Sequence, residues 1–281
     1  MLGAIAGDMI GVPWEVSGEK RRDFPLFTEF SRFSDDTVMT IAVAHALLEE
    51  RDYARAMREF GRRYPLIGYG QRFEQWLTDA SMGPYESYGN GGAMRASPIG
   101  FAARSVEEAL DEAERCAAPT HNHAEGIKGA QAVALGVFLA RAGASKQNIR
   151  SEITARVGYD LDHTVAFIRP GYSFDVAAER SVPEAIICFL DADDFEGAVR
   201  NAVSLGGDAD TMACIAGALS EAYWGEVPGA IANQVRERLP GELLALVDRF
   251  RARFQSGSRQ HDSSSGPSLE SAAQRHAGRL K

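Results

Sequence analysis

Apolar residues recur at three- and four-residue spacing along most of the chain, and the strict alternation expected of a half-buried strand is scarce. The spacing predicts helices over 37–50, 53–64, 106–117, 124–141, 182–191, 195–204, 211–224 and 242–254. Their starts carry helix-entry chemistry. Ser181 and Glu184 read as a capping box for the helix beginning at 182, with Pro183 tolerated because early helical amides lack an intrahelical partner. Alanine and glycine line many of these stretches, so helix axes are free to approach closely. The expectation is a single all-α globular domain over 1–255.

Two segments need a separate reading. The opening MLGAIAGDMIGV is apolar, but it has no basic run before it and carries Asp8 in its middle, so it does not read as a secretory signal. No run approaches the ~18 apolar residues of a membrane helix, and no membrane role is expected. Residues 256–268, SGSRQHDSSSGPS, are rich in serine and glycine and read as a flexible linker. Residues 269–281 have too few large apolar side chains to fold alone, and read as a tail.

Charge narrows the partners. Thirty Lys and Arg against 39 Asp and Glu leave a net −9, which removes the basic footprint of a nucleic-acid binder; nucleic acid enters only as a modified substrate. The same surface repels anionic ligands, so an anionic ligand would require a local attractive device. Cys116, Cys188 and Cys214 are too far apart for a zinc ribbon and too few for a disulfide framework, which fits a reducing cytoplasm. A cytoplasmic monomer is expected.

Chemistry concentrates at two helix starts. Ser34-Asp35-Asp36-Thr37 precedes one small-residue apolar helix, and Asp208, Asp210 and Thr211 precede another. Capping alone explains either motif, because side-chain oxygens accept from the free first-turn amides. A cap needs one oxygen, however, and the pair offers four carboxylates with added hydroxyls. If the two starts converge, four like charges share a pocket and call for a cation. Oxygen-only ligands favour Mg²⁺, then Mn²⁺, with Ca²⁺ a further option, and this many carboxylates suit two ions with a bridging ligand. Glu15 follows two glycines and Pro13 and is a fifth candidate, against the plainer reading of a surface-loop glutamate.

The glycine-rich segment Gly89, Asn90, Gly91, Gly92, then Ala93, Met94 and Arg95, presents bare amides suited to phosphate, or is simply a turn. Tyr88 offers an aromatic face beside it. Either His121 or His123, at the start of another helix, is placed to reach a ligand; His45 reads as packing, and Trp14, Trp76 and Trp224 as core anchors.

Five motifs in order, GAIAGDMIGVPWE at 3–15, SDDT at 34–37, SYGNGGAMR at 87–95, THNH at 120–123 and GGDADT at 206–211, resemble the ADP-ribosylhydrolase (ADP-ribosylglycohydrolase) family. The resemblance spans nearly all of 1–255. It implies an all-α orthogonal bundle with a binuclear Mg²⁺ or Mn²⁺ centre that hydrolyses ADP-ribose from a modified acceptor. Carried over by position, it makes Ser34, Asp35, Asp36, Asp208, Asp210 and Thr211 metal ligands, with Asp210 bridging. Glu15 matches the acid over the metals, which is assigned the acid/base or gating role. Ser87 to Gly92 and Met94 match the loop around the diphosphate and distal ribose, with Tyr88 on the adenosine side, and His121 or His123 matches a ligand-contacting histidine. Many members carry Thr where this chain has Ser34, whose hydroxyl still offers an oxygen.

The SYGNGGAMR segment is more similar to members acting on O-linked ADP-ribose, including ADP-ribosyl-serine, than to arginine-specific ones. Arginine-linked, nucleic-acid-linked and O-acyl-ADP-ribose substrates all stay open. The alternative is a non-catalytic ADP-ribose-binding module of the same fold. A metal phosphohydrolase ranks lower, because the one His-Asp pair of that style, Asp162-His163, lies apart from the acidic motifs.

Overall fold

A computed structural model describes residues 1–255 of the chain. The linker and tail expected over 256–281 lie outside the described residues. Helix α1 (Leu2–Gly11) leads through a 3₁₀ turn at Val12–Trp14 and a long loop into α2 (Asp35–Leu48). Helices α3 (Tyr53–Arg63) and α4 (Gln71–Thr78) follow, then two short helices, α5 (Gly91–Met94) and α6 (Ser97–Ala102). Next come α7 (Val106–Ala117), α8 (Ala124–Arg141), α9 (Lys146–Val157) and the single turn α10 (Val165–Ile168). The chain continues through α11 (Ala178–Leu190), α12 (Phe195–Val203), α13 (Ala209–Trp224), α14 (Gly229–Arg238) and α15 (Gly241–Phe254). Among the described residues there is no strand, only an isolated antiparallel bridge between Gly89 and Ala177. The fold is all-α.

All eight expected helices form, and their starts reveal what moves a boundary. Helix α2 begins two residues before the predicted 37 because Ser34 is its cap and accepts from the Asp36 amide at 3.2 Å. Helix α11 begins at Ala178, so Ser181 is not a cap: its hydroxyl lies inside the helix and donates to the Ala177 carbonyl at 2.9 Å. Tertiary pairing fixes the earlier start, since the Ala178 amide donates to the Tyr88 carbonyl (2.9 Å) and Asp175 accepts from Ala177. Helices α1, α4, α5, α6, α9, α10 and α14 are additional to those that periodicity predicts. Helix α1 has no amphipathic stripe to read, because every one of its residues is buried.

Helices α1 and α13 form the centre of the bundle, with α8 beside them against α5, α6, α7, α11 and α13. The α1–α13 seam is a backbone contact. Gly3, Gly7 and Gly11 recur every four residues and so share one face of α1. A methyl on Gly3 would lie 2.3 Å from the Gly217 carbonyl oxygen, on Gly7 1.9 Å from that of Ala213, and on Gly11 2.4 Å from the Asp210 Cα. The partners descend in number as the glycines ascend, so the two helices run antiparallel. Only hydrogen in place of a side chain allows this approach.

The seam predicts a sharp contrast between glycines. Gly7→Ala should cost about 3 kcal/mol in urea unfolding, the upper end for overpacking, because the obstructing atoms are backbone that cannot rotate away. Gly229→Ala, where an added Cβ meets nothing within 4 Å, should stay within about 0.5 kcal/mol of wild type.

Candidate metal centre and ligand cleft

The glycine seam delivers Asp8 and Asp210 to the same place, one from each helix. Asp8 is wholly buried and acts as a clamp on the start of α2. Its carboxylate accepts from the Ser34 amide (3.0 Å), the Ser34 hydroxyl (2.7 Å), the Thr37 amide (3.2 Å) and the Thr37 hydroxyl. Asp36, in the first turn of α2, thereby faces the first turn of α13, where the Thr211 hydroxyl donates to its Oδ2 at 3.1 Å. Asp208 occupies the N-cap position of α13 without a side-chain bond to the helix amides, and accepts instead from Asn90 Nδ2 at 2.7 Å. Two helix N-termini therefore meet around the acidic groups, and their positive dipole ends offset part of the charge.

The carboxylates fall into two groups. Asp8, Asp36 and Asp210 bring ligand atoms within 4.8 Å of one another, and Glu15, Asp208 and Asp210 do the same. Asp210 belongs to both. Burial, followed by the neighbouring negative charges, drives the Asp36 and Asp210 carboxyls well above the ordinary range. Asp35 is pushed up to about 8 by burial and then by Asp8. Glu15 is raised by burial, then Asp208 and Asp8, with Arg32 opposing. Asp36 Oδ1 is buried and has no hydrogen-bond partner among the described residues. Such an orphaned carboxyl oxygen, within a set of hard oxygen donors, fits a divalent cation of the Mg²⁺, Mn²⁺ or Ca²⁺ kind.

These groups sit at one end of a cleft of about 430 Å³. Glu15, Asp35, Asp36, Asp208, Asp210 and Thr211 line it, as do Ser87, Tyr88, Gly89, Asn90, Gly91, Met94 and His121. The 87–91 loop is pinned from two sides: the Ser87 amide donates to the Thr120 carbonyl (3.2 Å) and the Asn90 amide to that of Val176 (2.8 Å). Three expected site residues are not on the wall. Ser34 is buried in its bonds to Asp8, and Gly92 is buried against His121, where a Cβ would meet the ring Cγ at 3.3 Å. His123 instead caps α8, accepting from the Glu125 amide at 3.2 Å, and meets the Tyr88 ring edge-on at 5.9 Å. Of the two histidines, His121 is the one in the cleft. Tyr88 keeps more than half its surface exposed and forms part of the mouth with Phe174 and Val176.

Reading by motif overlooks Asp8 as a site residue. Its signal was a lone carboxylate in a wholly apolar decapeptide, a cost that a structure bears only when the charge is used. Arg72, Gly68, Phe174 and Val176 also line the cleft without any local pattern that marks them. The packing assignments stand differently: His45 lies 5.3 Å from the Phe60 ring and Trp76 is core, while Trp14 and Trp224 are partly buried against it. His163 pairs with Asp160 rather than Asp162, at 3.6 Å and exposed.

The sequence and the fold have known counterparts. Residues 1–260 match the family model described as ADP-ribosylglycohydrolase. The chain is 30% identical over 262 residues to the ADP-ribosylhydrolase ARH3 of Mus musculus, covering 70% of this chain and 71% of the mouse protein. The Homo sapiens ARH3 is also 30% identical, over 70% of this chain and 72% of its own length. A solved structure titled ADP-ribosylglycohydrolase-related protein complex superposes with a TM-score of 0.63 at 26% identity, over 89% of this chain and 96% of that one. With the family model spanning all of the described bundle, the chain belongs to the ADP-ribosylglycohydrolase family.

Proposed function

We propose that the protein hydrolyses the bond between ADP-ribose and a modified acceptor, using a pair of divalent cations at the acidic end of the cleft. One observation carries this reading: Asp210 is shared between two groups of three carboxylates, the arrangement a bridging ligand requires. Asp8, Asp36 and Asp210 would hold one ion and Asp208 and Asp210 the other, with Asp35 and Thr211 at the edges and Glu15 beside the second ion, free for proton transfer. When bound, Mg²⁺ or Mn²⁺ supplies electrostatic polarisation and lowers the pKa of water.

The chain's own residues account for the rest. The amides and small residues of the Ser87–Gly91 loop form a concave wall that accepts a diphosphate without adding positive charge to the surface. Tyr88 offers the adenosine end an aromatic face, and Met94 and His121 close the floor. This leaves the distal ribose beside Glu15. Cleavage breaks the bond from C1″ to the acceptor heteroatom and forms one from C1″ to a water oxygen, with oxocarbenium character on the ring between. The water loses one proton and the departing heteroatom gains one. Glu15, held above the ordinary carboxylate range by burial and by Asp208, is suited to carry that proton. The named ARH3 relatives support the substrate class. The acceptor lies beyond the ADP-ribose wall, and the similarity of SYGNGGAMR to members acting on O-linked conjugates favours ADP-ribosyl-serine.

Release of ADP-ribose from ADP-ribosyl-serine and ADP-ribosyl-arginine peptides, with Mg²⁺ and then with excess chelator, tests this directly. Release should need the metal and favour the serine peptide. Asp210→Asn should lose both metal ions and turnover, whereas Glu15→Gln should keep metal and ADP-ribose binding while kcat falls at least about 100-fold. Cleavage of neither peptide with ADP-ribose binding intact would identify a binding module instead.

The raised carboxyl pKa values also fix the sign of a pH effect. The metal-free fold binds more protons than the unfolded chain between about 4, the ordinary carboxylate value, and the Asp35 value of about 8. Metal-free protein should therefore lose thermal stability as pH rises through that window. Added Mg²⁺ or Mn²⁺ should raise Tm more at pH 8 than at pH 5, as scanning calorimetry would reveal.

A further inference from the structure

The cleft wall includes a buried charge with no carboxylate bonded to it. Arg95 is wholly buried, and among the described residues its hydrogen bonds go to neutral groups. Its Nη2 donates to the Thr120 hydroxyl at 2.8 Å and to the Cys116 carbonyl at 3.3 Å, and its Nε has no partner among the described residues. Thr120, also wholly buried, places the same hydroxyl oxygen 2.8 Å from His121 Nδ1.

Proton counting along these three residues leaves one solution. The guanidinium only donates, so the Thr120 oxygen accepts from it. The single hydroxyl hydrogen of Thr120 then needs an acceptor, and among the described residues His121 Nδ1 is the one within reach. If Nδ1 carried the hydrogen instead, the hydroxyl hydrogen would be buried and unpaired, at a cost of about 1–3 kcal/mol. Nδ1 is therefore the acceptor, and in the neutral ring the hydrogen lies on Nε2. A cationic ring is disfavoured by burial and then by Arg95, which push the His121 pKa well below its usual value.

The other edge of the ring points to the ligand side. Nε2 would lie 3.0 Å from a Cβ on Gly91 and 3.9 Å from one on Gly89, so it sits under the glycine loop. His121 lines the cleft, and no described residue hydrogen-bonds its Nε2.

We propose that Arg95 and Thr120 are positioning residues that lock His121 in the Nε2–H tautomer, so that it meets the bound ligand as a neutral hydrogen-bond donor. This rests on the ADP-ribose reading for the identity of the ligand. The acceptor is an oxygen of the diphosphate or of the distal ribose beside the 87–91 loop. His121 binds rather than exchanges protons, because releasing Nε2–H would leave an imidazolate and taking up a second proton would break the hydroxyl bond at Nδ1. Glycine at 91 is the space that lets the donor edge reach the cleft.

The lock is tested on the full-length chain by long-range ¹H–¹⁵N correlation of the histidine rings, alongside calorimetric titration with ADP-ribose. Wild type and Thr120→Ser should both present His121 as the Nε2–H tautomer. Thr120→Val, which keeps the shape and removes the hydroxyl, should shift the ring to a mixture of tautomers and weaken ADP-ribose binding in proportion to the lost Nε2–H fraction, about twofold for an even mixture. Thr120→Ser should bind as wild type does, which separates the tautomer from a general packing loss. An Nδ1–H tautomer in wild type overturns the proposal. So does a folded Thr120→Val that keeps Nε2–H and full affinity. Wild type that fails to bind ADP-ribose would remove the functional reading, while the ring spectra would still decide the lock.

Discussion

The approach of two backbones, α1 against α13, is the contact from which the centre is built. Glycine at 3, 7, 11 and 217 lets the helix surfaces touch without side chains between them. That closeness sets Asp8 and Asp210 within one ligand-atom cluster, and Asp8 in turn grips the start of α2 and turns Asp36 inward. A methyl anywhere along the seam would push the helices apart, and the acidic groups would separate with them. Packing and chemistry are joined here by four hydrogen atoms.

Electrostatics works against this arrangement. Six carboxylates line or support one end of the cleft; desolvation raises all six, and repulsion from neighbouring carboxylates adds to it at Glu15, Asp35, Asp36 and Asp210. The local compensations are modest: two helix N-termini, the Ser34, Thr37 and Thr211 hydroxyls, and Asn90 on Asp208. These hold the groups in place without neutralising them. The loop from Glu15 is secured by a different means, since Lys20 donates to the carbonyls of Arg169 (2.9 Å), Tyr172 (2.6 Å) and Leu205 rather than to any acid. At the acidic end of the cleft, Asp35, Asp36 and Asp210 are thus left without a compensating cation from the described residues, which is why their carboxyls hold protons above the ordinary range.

Much of this was legible in the chain, and the part that was not has physical reasons. Helical spacing marks α2, α3, α7, α8, α12, α13 and α15 because each has a periodic apolar pattern or a clear cap. It is silent on α1, where burial all round erases the period, and misplaces the start of α11, which a hydrogen bond to the distant Tyr88 carbonyl decides. The acidic motifs stand out because carboxylates beside apolar helices are costly. Asp8 does not, since a single residue has no pattern. The choice between His121 and His123 needed three dimensions: two residues apart, one lies beneath the glycine loop and the other caps a helix.

The burial of α1 bears on how the molecule comes to be folded. Gly3 donates its amide to Glu221, 218 residues away, and the main partner of the helix is the equally remote α13. A ten-residue helix is marginal in water by itself. During synthesis it would remain unmade until α13 has emerged, a long-range closure of the kind that slows folding. The acidic groups therefore assemble late, as a step of the final docking, and a half-made chain carries an unshielded apolar strip that invites association with its neighbours.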